Sequence, residues 1–392
     1  MDEYYVDLHI HIGRTKTGRA VKITGSRSLT LSNALTTARE RKGLDMIGII
    51  DCHSPEVIEE IMELLETGQL AEKPDGGLQY GDMTFIPGSE IEINDAHCNG
   101  PIHVLAYLPT IERMKTFSAW MSGHVKNIHL SSQRIYTNAT TLQKAVKSLG
   151  GLFIPAHVFT PFKSMYGKGV KQSLNEVFDS DLIDAVELGL SSDTQMAESI
   201  TELSRYTFLT NSDAHSLGKI AREYQKIEMQ ASSFSELEKA LKMKGGRKVA
   251  ANYGLNPLLG KYHKTVCANC LTGQDINAAA CSHCGSSKII KGVSERIKEL
   301  GGDDIERPER PPYIHQVPLE FIPGLGPKLM NRLLDAFGTE MSILHKAEYS
   351  ELLKVVPEKV AYYIDLARSG KLQIEAGGGG KYGKVKVSDK TL

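Results

Sequence analysis

Short apolar runs separated by amphipathic stretches fill the first 250 residues of the chain. The runs at 4–10, 46–50, 83–87, 102–107, 152–156, 183–188 and 207–211 read as buried strands. Between them apolar residues recur at helical spacing, for example over Ser32 to Lys42, Ser54 to Glu66 and Thr141 to Leu149. Alternation of this kind predicts parallel strands joined by crossover helices. With about seven repeats, the pattern alone is satisfied by an open sheet or by a closed barrel.

After residue 255 the texture changes. A cysteine-rich stretch (256–300) precedes a Pro- and charge-rich segment (301–317) that reads as a linker, then a helical stretch (318–375) and a Gly-rich basic tail (376–392). A length of 392 residues suits two or three domains. No apolar run is long enough to span a membrane, and the start, MDEYYVDLHIH, enters a strand pattern at once instead of resembling a secretory signal. A cytoplasmic, nucleoid-associated location is expected. With 46 basic against 47 acidic residues the chain is no simple polycation.

Four of the six cysteines read C-x2-C-x10-C-x2-C at Cys267, Cys270, Cys281 and Cys284. Two such pairs on tight knuckles predict a structural, tetrahedral zinc site, not a disulfide framework.

Histidines and acids mark the strand ends: Asp7, His9 and His11 after the first, Asp51 and His53 after the second, Glu90 after the third, His103 in the fourth, His157 after the fifth, Asp213 and His215 after the last. On a strand, residues i and i+2 share a face, so three of these form paired ligands. If the strand ends converge on one mouth, about nine donors share one cavity and exceed the needs of a single ion. Imidazole with carboxylate suits Zn, Mn or Fe better than Mg alone.

In order, DLHIH, the DCH at 51–53, PGSEIE, IHVLAY, PAH and NSDAH resemble the motifs of the polymerase-and-histidinol-phosphatase (PHP) superfamily. The resemblance implies a distorted seven-stranded β/α barrel over residues 1–255 and phosphoester hydrolysis at two or three divalent ions (Zn, Mn or Mg). It implies that His9 and His11 bind one ion with Glu90 and Asp213. Glu90 would bridge to a second ion on His103 and His157, and a third would use His215 with the Asp51/His53 region. Asp213, His9 and Glu90 are the expected catalytic residues. Two departures stand out: Lys16-Thr17-Gly18 where the family has Asp-Gly, and Asp51-Cys52-His53 in place of adjacent Asp-His. Glu187 could compensate as a ligand or orient a ligating histidine.

Two segments are basic. Residues 107–175 hold nine Lys/Arg against Glu112 alone, and residues 12–39 hold six with no acid, among them Arg14, Lys16 and Arg19. They suggest a polyanion track that includes Lys163, Lys168 and Lys171. Phe159, Phe162 and Tyr166 follow His157 and are candidates to stack on bases or wedge into a duplex, or simply to pack the loop. Lysines 261, 264, 288 and 291 surround the cysteines. Further on, FIPGLGPKLMNRLLDAF (321–337) resembles a helix-hairpin-helix hairpin, with Gly324 and Gly326 in the turn, Lys328 beside a phosphate, and Leu329, Leu333, Leu334 and Phe337 buried. A barrel, a four-Cys module and a helix-hairpin-helix-like end in this order resemble the endonuclease Q family. That resemblance implies incision of DNA on the 5′ side of deaminated bases (hypoxanthine, uracil, xanthine) and abasic sites, leaving a 3′-hydroxyl and a 5′-phosphate. A PHP-type phosphatase, a 3′→5′ exonuclease and an inactive DNA-binding scaffold are the alternatives.

Overall fold

The computed structural model describes residues 1–260, 262–275, 277–302, 308–375 and 384–385. Lys261 and nearly all of the Gly-rich tail therefore lie outside the described residues.

Seven strands form the central ring: β1 (Asp2–Ile10), β2 (Met46–Ile49), β3 (Met83–Ile93), β4 (Ile102–Tyr107), β5 (Leu152–Pro155), β6 (Ala185–Glu187) and β7 (Thr207–Leu209). They match the seven apolar runs. β1, β2 and β3 pair in parallel, as do β6 and β7. The Asp184 amide bonds the Phe153 carbonyl at 3.0 Å to join β5 to β6. Beyond β7 the chain returns to β1, where the Ala214 amide donates to His9 O and the His11 amide to Ala214 O. The ring is thereby closed.

One strand corrects the expectation of parallel pairing. β4 is antiparallel to both β3 and β5. Only residues 94–101 join β3 to β4, too few for a crossover helix, so the chain can return only as a hairpin. His103 nevertheless reaches the mouth, because the N-terminal end of a reversed strand lies where the C-terminal ends of its neighbours lie.

Of the expected helices, Ser54–Glu66 is present as α1 (Pro55–Glu66) and Thr141–Leu149 as α3 (Ala139–Ser148), with a further helix, α2 (Ile111–Ser122), between them; the stretch expected from Ser32 is helical over Leu31–Thr36 and continues as a π-turn to Lys42. Two apolar clusters result. One fills the ring with residues such as Leu8, Met46, Ile86, Leu105, Ile154 and Leu209; the other lies between the ring and its outer layer. Inside the ring the Tyr107 hydroxyl donates to Leu8 O at 2.5 Å. Its ring occupies the space beside Gly48 and Gly88, where a Cβ would approach it to 2.8 and 2.7 Å.

Two further strands, β8 (Tyr224–Met229) and β9 (Lys248–Gly254), extend the sheet beyond β1. Within the stretch expected to be a linker, β10 (Tyr313–His315) pairs in parallel with β9. Helix α4 (Phe234–Leu241) precedes β9. The cysteine stretch is a small hairpin, Val266–Cys267 against Ile289–Ile290, followed by α5 (Val293–Leu300). The C-terminal helices are α6 (Pro327–Phe337), α7 (Glu340–His345), α8 (Tyr349–Val355) and α9 (Glu358–Arg368). They meet the barrel through Lys42–Glu340 at 2.8 Å and the His345 ring stacked on Tyr5 at 4.4 Å. In the tail, Ile374–Glu375 pairs with Lys384–Val385. Among the described residues no helix is long and apolar enough to cross a membrane.

Candidate metal centre

The mouth of the ring holds a cavity of about 210 Å³ lined by Lys22, Glu90, His103, His157, Thr160, Phe162, Lys163, Asp213 and His215. Three donor sets meet at it: His9–His11–Glu90, Glu90–His103–His157 and His11–Asp213–His215, each with its donor atoms within 4.8 Å of one another. Glu90 and His11 each belong to two sets, so the sets form one connected cluster.

The two histidines at the end of β1, His9 and His11, are oriented in the same way. His9 Nδ1 lies 2.9 Å from Glu187 Oε2, and His11 Nδ1 lies 3.0 Å from Asp51 Oδ2. Each carboxylate accepts the Nδ1–H, which fixes the tautomer and turns the Nε2 lone pair toward the cavity. There Nε2 of His9 and His11 are buried without a hydrogen-bond partner, and His103 meets Glu90 Oε1 through Nδ1 at 2.8 Å. His9 Nε2 stands 3.4 Å from Asp213 and 3.6 Å from Glu90, and His11 Nε2 stands 3.4 and 3.7 Å from the same two carboxylates. These separations are long for hydrogen bonds but match donors about 2.1 Å from a shared ion, which stand roughly 3–3.5 Å apart. The residues thus fit divalent ions.

Electrostatics agree. Burial would push the Glu90 carboxyl up, but His103, Lys22 and His157 hold it well below its ordinary value. Burial likewise opposes the Asp213 charge, and His9, His11 and His215 outweigh it. Both carboxylates are therefore anionic across the neutral range. The backbone is strained here too: His157, Lys163, Asp213 and Ser132 have φ of 31°, 50°, 45° and 52°. Such non-glycine conformations cost about 1 kcal/mol or more each and cluster at functional sites.

Three expected ligands lie elsewhere. Asp51 and Glu187 stand behind His11 and His9, and neither belongs to a donor set. Glu187 also accepts from the His157 amide and Asn211 Nδ2. His53 bonds Ser89 Oγ at 2.8 Å and Leu130 O at 3.2 Å, away from the cavity. The reason is local: β2 ends at Ile49, and the chain turns into α1, so the i,i+2 rule no longer governs residues 51 and 53. His215 joins His11 and Asp213 in their place. The sequence signal for the cavity also missed Lys22, counted only as a basic-loop residue. Its Nζ lies 3.1 Å from Glu90 Oε2 and 2.6 Å from Ser132 Oγ.

The loop aromatics separate. Phe159 and Tyr166 are buried and stacked on each other at 5.4 Å, so of the two expectations for them they follow loop packing and not wedging. Phe162 is 50% exposed at the cavity rim. Among the basic candidates, Lys163 lines the cavity and pairs with Glu92 at 2.8 Å, and Lys168 and Lys171 are exposed on the same loop. Lys16 and Arg19 pair with Glu63 and Glu56 of α1, and Arg14 reaches Gly18 O. The 12–39 segment is thus partly neutralised by acids that follow it in sequence.

The four cysteines converge, all within 4.8 Å, with Cys270 and Cys281 sulfurs 3.4 Å apart and Cys267 and Cys284 sulfurs 3.6 Å apart. Four thiolates on one zinc ion stand about 3.8 Å apart, so the cluster fits that metal. At the C-terminal end, Gly324 takes φ 83°, Gly326 caps α6 and Lys328 is exposed in its first turn. Of the residues expected under α6, Leu333 is fully buried, while Leu329, Leu334 and Phe337 are half-buried and Met330 joins the core.

No family model matches the chain. The uncharacterized protein YqxK of Bacillus subtilis is 56% identical over 386 residues, 98% of this chain and 100% of YqxK. The crystal structure of the lesion-specific endonuclease PfuEndoQ from Pyrococcus furiosus superposes with a TM-score of 0.85 at 32% identity, covering 99% of this chain and 96% of that one. A complex of endonuclease Q with a 27-mer duplex carrying an abasic lesion at the active site gives 0.84, also at 32% identity, covering 99% and 98%. This chain belongs to the endonuclease Q family.

Proposed function

We propose that this protein is a metal-dependent endonuclease that incises DNA on the 5′ side of deaminated bases (hypoxanthine, uracil, xanthine) and abasic sites, leaving a 3′-hydroxyl and a 5′-phosphate. Family membership supports lesion-directed incision, since the matched structures are a lesion-specific endonuclease and an abasic-duplex complex. The observation that carries the chemistry is the pair of orphaned Nε2 atoms of His9 and His11, each facing both anionic Glu90 and anionic Asp213.

His9, His11, Glu90, His103, His157, Asp213 and His215 would hold two or three divalent ions. When bound, such ions lower the pKa of a water and offset charge developing on the phosphate. The protein's own groups do the rest. Glu187 and Asp51 hold His9 and His11 in the ligating tautomer. Lys22 and Lys163 bring positive charge to the cavity wall, where a backbone phosphate would sit. Phe162 offers a ring beside a displaced nucleotide, since chemistry at a lesion is easier once the weakly paired base leaves the stack. In this reading residues 1–255 cut, the zinc-bound module of 256–300 supports the cavity loop, and the turn at Gly324–Gly326 with Lys328 grips a distant phosphate through outward amides.

End-labelled duplexes with a single hypoxanthine, uracil or abasic site test the proposal. The expected product is one cut 5′ to the lesion whose 3′ end a polymerase extends without treatment. A cut on the 3′ side, or a 3′-phosphate, would refute it.

A further inference from the structure

One loop holds both histidines of the Glu90–His103–His157 set. Residues 158–171 leave β5 just after His157 and run beside the cavity. Thr160 Oγ1 lies 3.2 Å from His157 Nδ1, and the Lys163 carbonyl accepts the His103 amide at 2.8 Å. Moving this loop therefore moves both donors.

The loop is fastened by the four-Cys module. Arg296 of α5 donates from Nε to Tyr166 O at 2.8 Å and from Nη2 to Val170 O at 3.1 Å and Lys171 O at 2.7 Å. Tyr262, just upstream of the cysteines, packs edge-on against Phe162 at 5.4 Å. Helix α5 is in turn tied to the hairpin: the Gly292 amide donates to Thr265 Oγ1, the Val293 amide to Tyr262 O and the Ser294 amide to His263 O. A planar guanidinium bonded to three carbonyls of one loop makes a charge-assisted, geometrically specific clamp.

We propose that Arg296 is a positioning residue for metal binding at Glu90–His103–His157, so that the four-Cys module governs the order of the cavity. The proposal rests on the reading of the cavity as a metal centre. Full-length Arg296→Ala, stripped of barrel metal and titrated with Mn²⁺ under EPR, tests it, with incision of an abasic duplex followed in parallel. The first Mn²⁺ should bind as in the parent, and the next should bind about tenfold more weakly or worse, the usual effect of losing an outer partner of a ligand. Incision should fall by a similar factor, and millimolar guanidinium should restore both. An unchanged titration, or equal weakening of every Mn²⁺, would overturn the proposal. Normal Mn²⁺ binding by a parent protein that incises nothing would count instead against the assigned function. If Arg296→Ala does not fold, Arg296→Gln is titrated against the same criteria.

Discussion

The four cysteines are gathered by two turns within residues 267–284, whereas the cavity donors, from His9 to His215, meet only when the ring closes. The cysteine site is closed, with all four positions supplied by neighbouring residues. Among the described residues, its sulfurs are supported only by groups of the same short segment, such as Asn269, Thr272 and Gln274. Hydrogen bonds from Thr272 pull Cys270 down to about 5, while desolvation pushes Cys281 up to about 11. In the barrel, by contrast, buried carboxylates hold two histidines in place, and Asp213 and His215 remain partly exposed at the mouth. From this contrast we expect the cysteine module to depend on its ion for order, and the barrel to keep its fold without ions on its open side.

The largest effect expected from that contrast is on the open side. Asp213→Asn should abolish incision while leaving duplex binding intact, as gel-shift and nicking assays on one preparation would check; unchanged cleavage would break the assignment. Next, chelation should strip hydrogen-exchange protection from residues 266–290 while the ring strands keep theirs. Equal loss in both regions would erase the contrast. Glu187→Gln and Asp51→Asn should each weaken barrel-metal affinity by about 10–100-fold, measured by competition with a chromophoric chelator, without moving the cysteine site. Smaller still, Lys163→Ala should weaken binding to every duplex and lower the salt slope of log K by about 1.

The smallest effect concerns Glu223, buried with the Leu255 amide as its partner. Burial pushes its carboxyl up to about 8. A raised folded-state value means that its contribution to stability is full below the ordinary carboxylate range and is lost as pH rises toward about 8. Glu223→Gln cannot ionise, so its Tm advantage over the parent should widen from pH 5 to pH 8. A constant gap would show that Glu223 is ionised in the fold.

Much of this was legible in the chain. Buried strands are short apolar runs, and all seven were visible. Alternating His and Asp at strand ends announced the cavity, and cysteine spacing announced the four-Cys cluster. What escaped depends on long-range placement. Chain reversal at β4 follows from a loop length, not from the strand's own residues. Whether Asp51 and Glu187 touch an ion or a histidine is decided across strands, since both roles call for a buried carboxylate. Phe159 and Phe162 differ in burial because of what packs on them: Tyr166 stacks on Phe159, whereas Phe162 stays at the rim with the edge of Tyr262 beside it. Local charge counting also failed for Lys16 and Arg19, because Glu63 and Glu56 arrive from a helix later in the sequence.

The most direct test uses closed circular duplexes, one normal and one carrying a single hypoxanthine, incubated with metal-loaded protein. The expected result is a single nick 5′ to the lesion and an intact normal circle, an outcome no end-requiring exonuclease can produce. Intact lesion circles, or equal nicking of both, would contradict it.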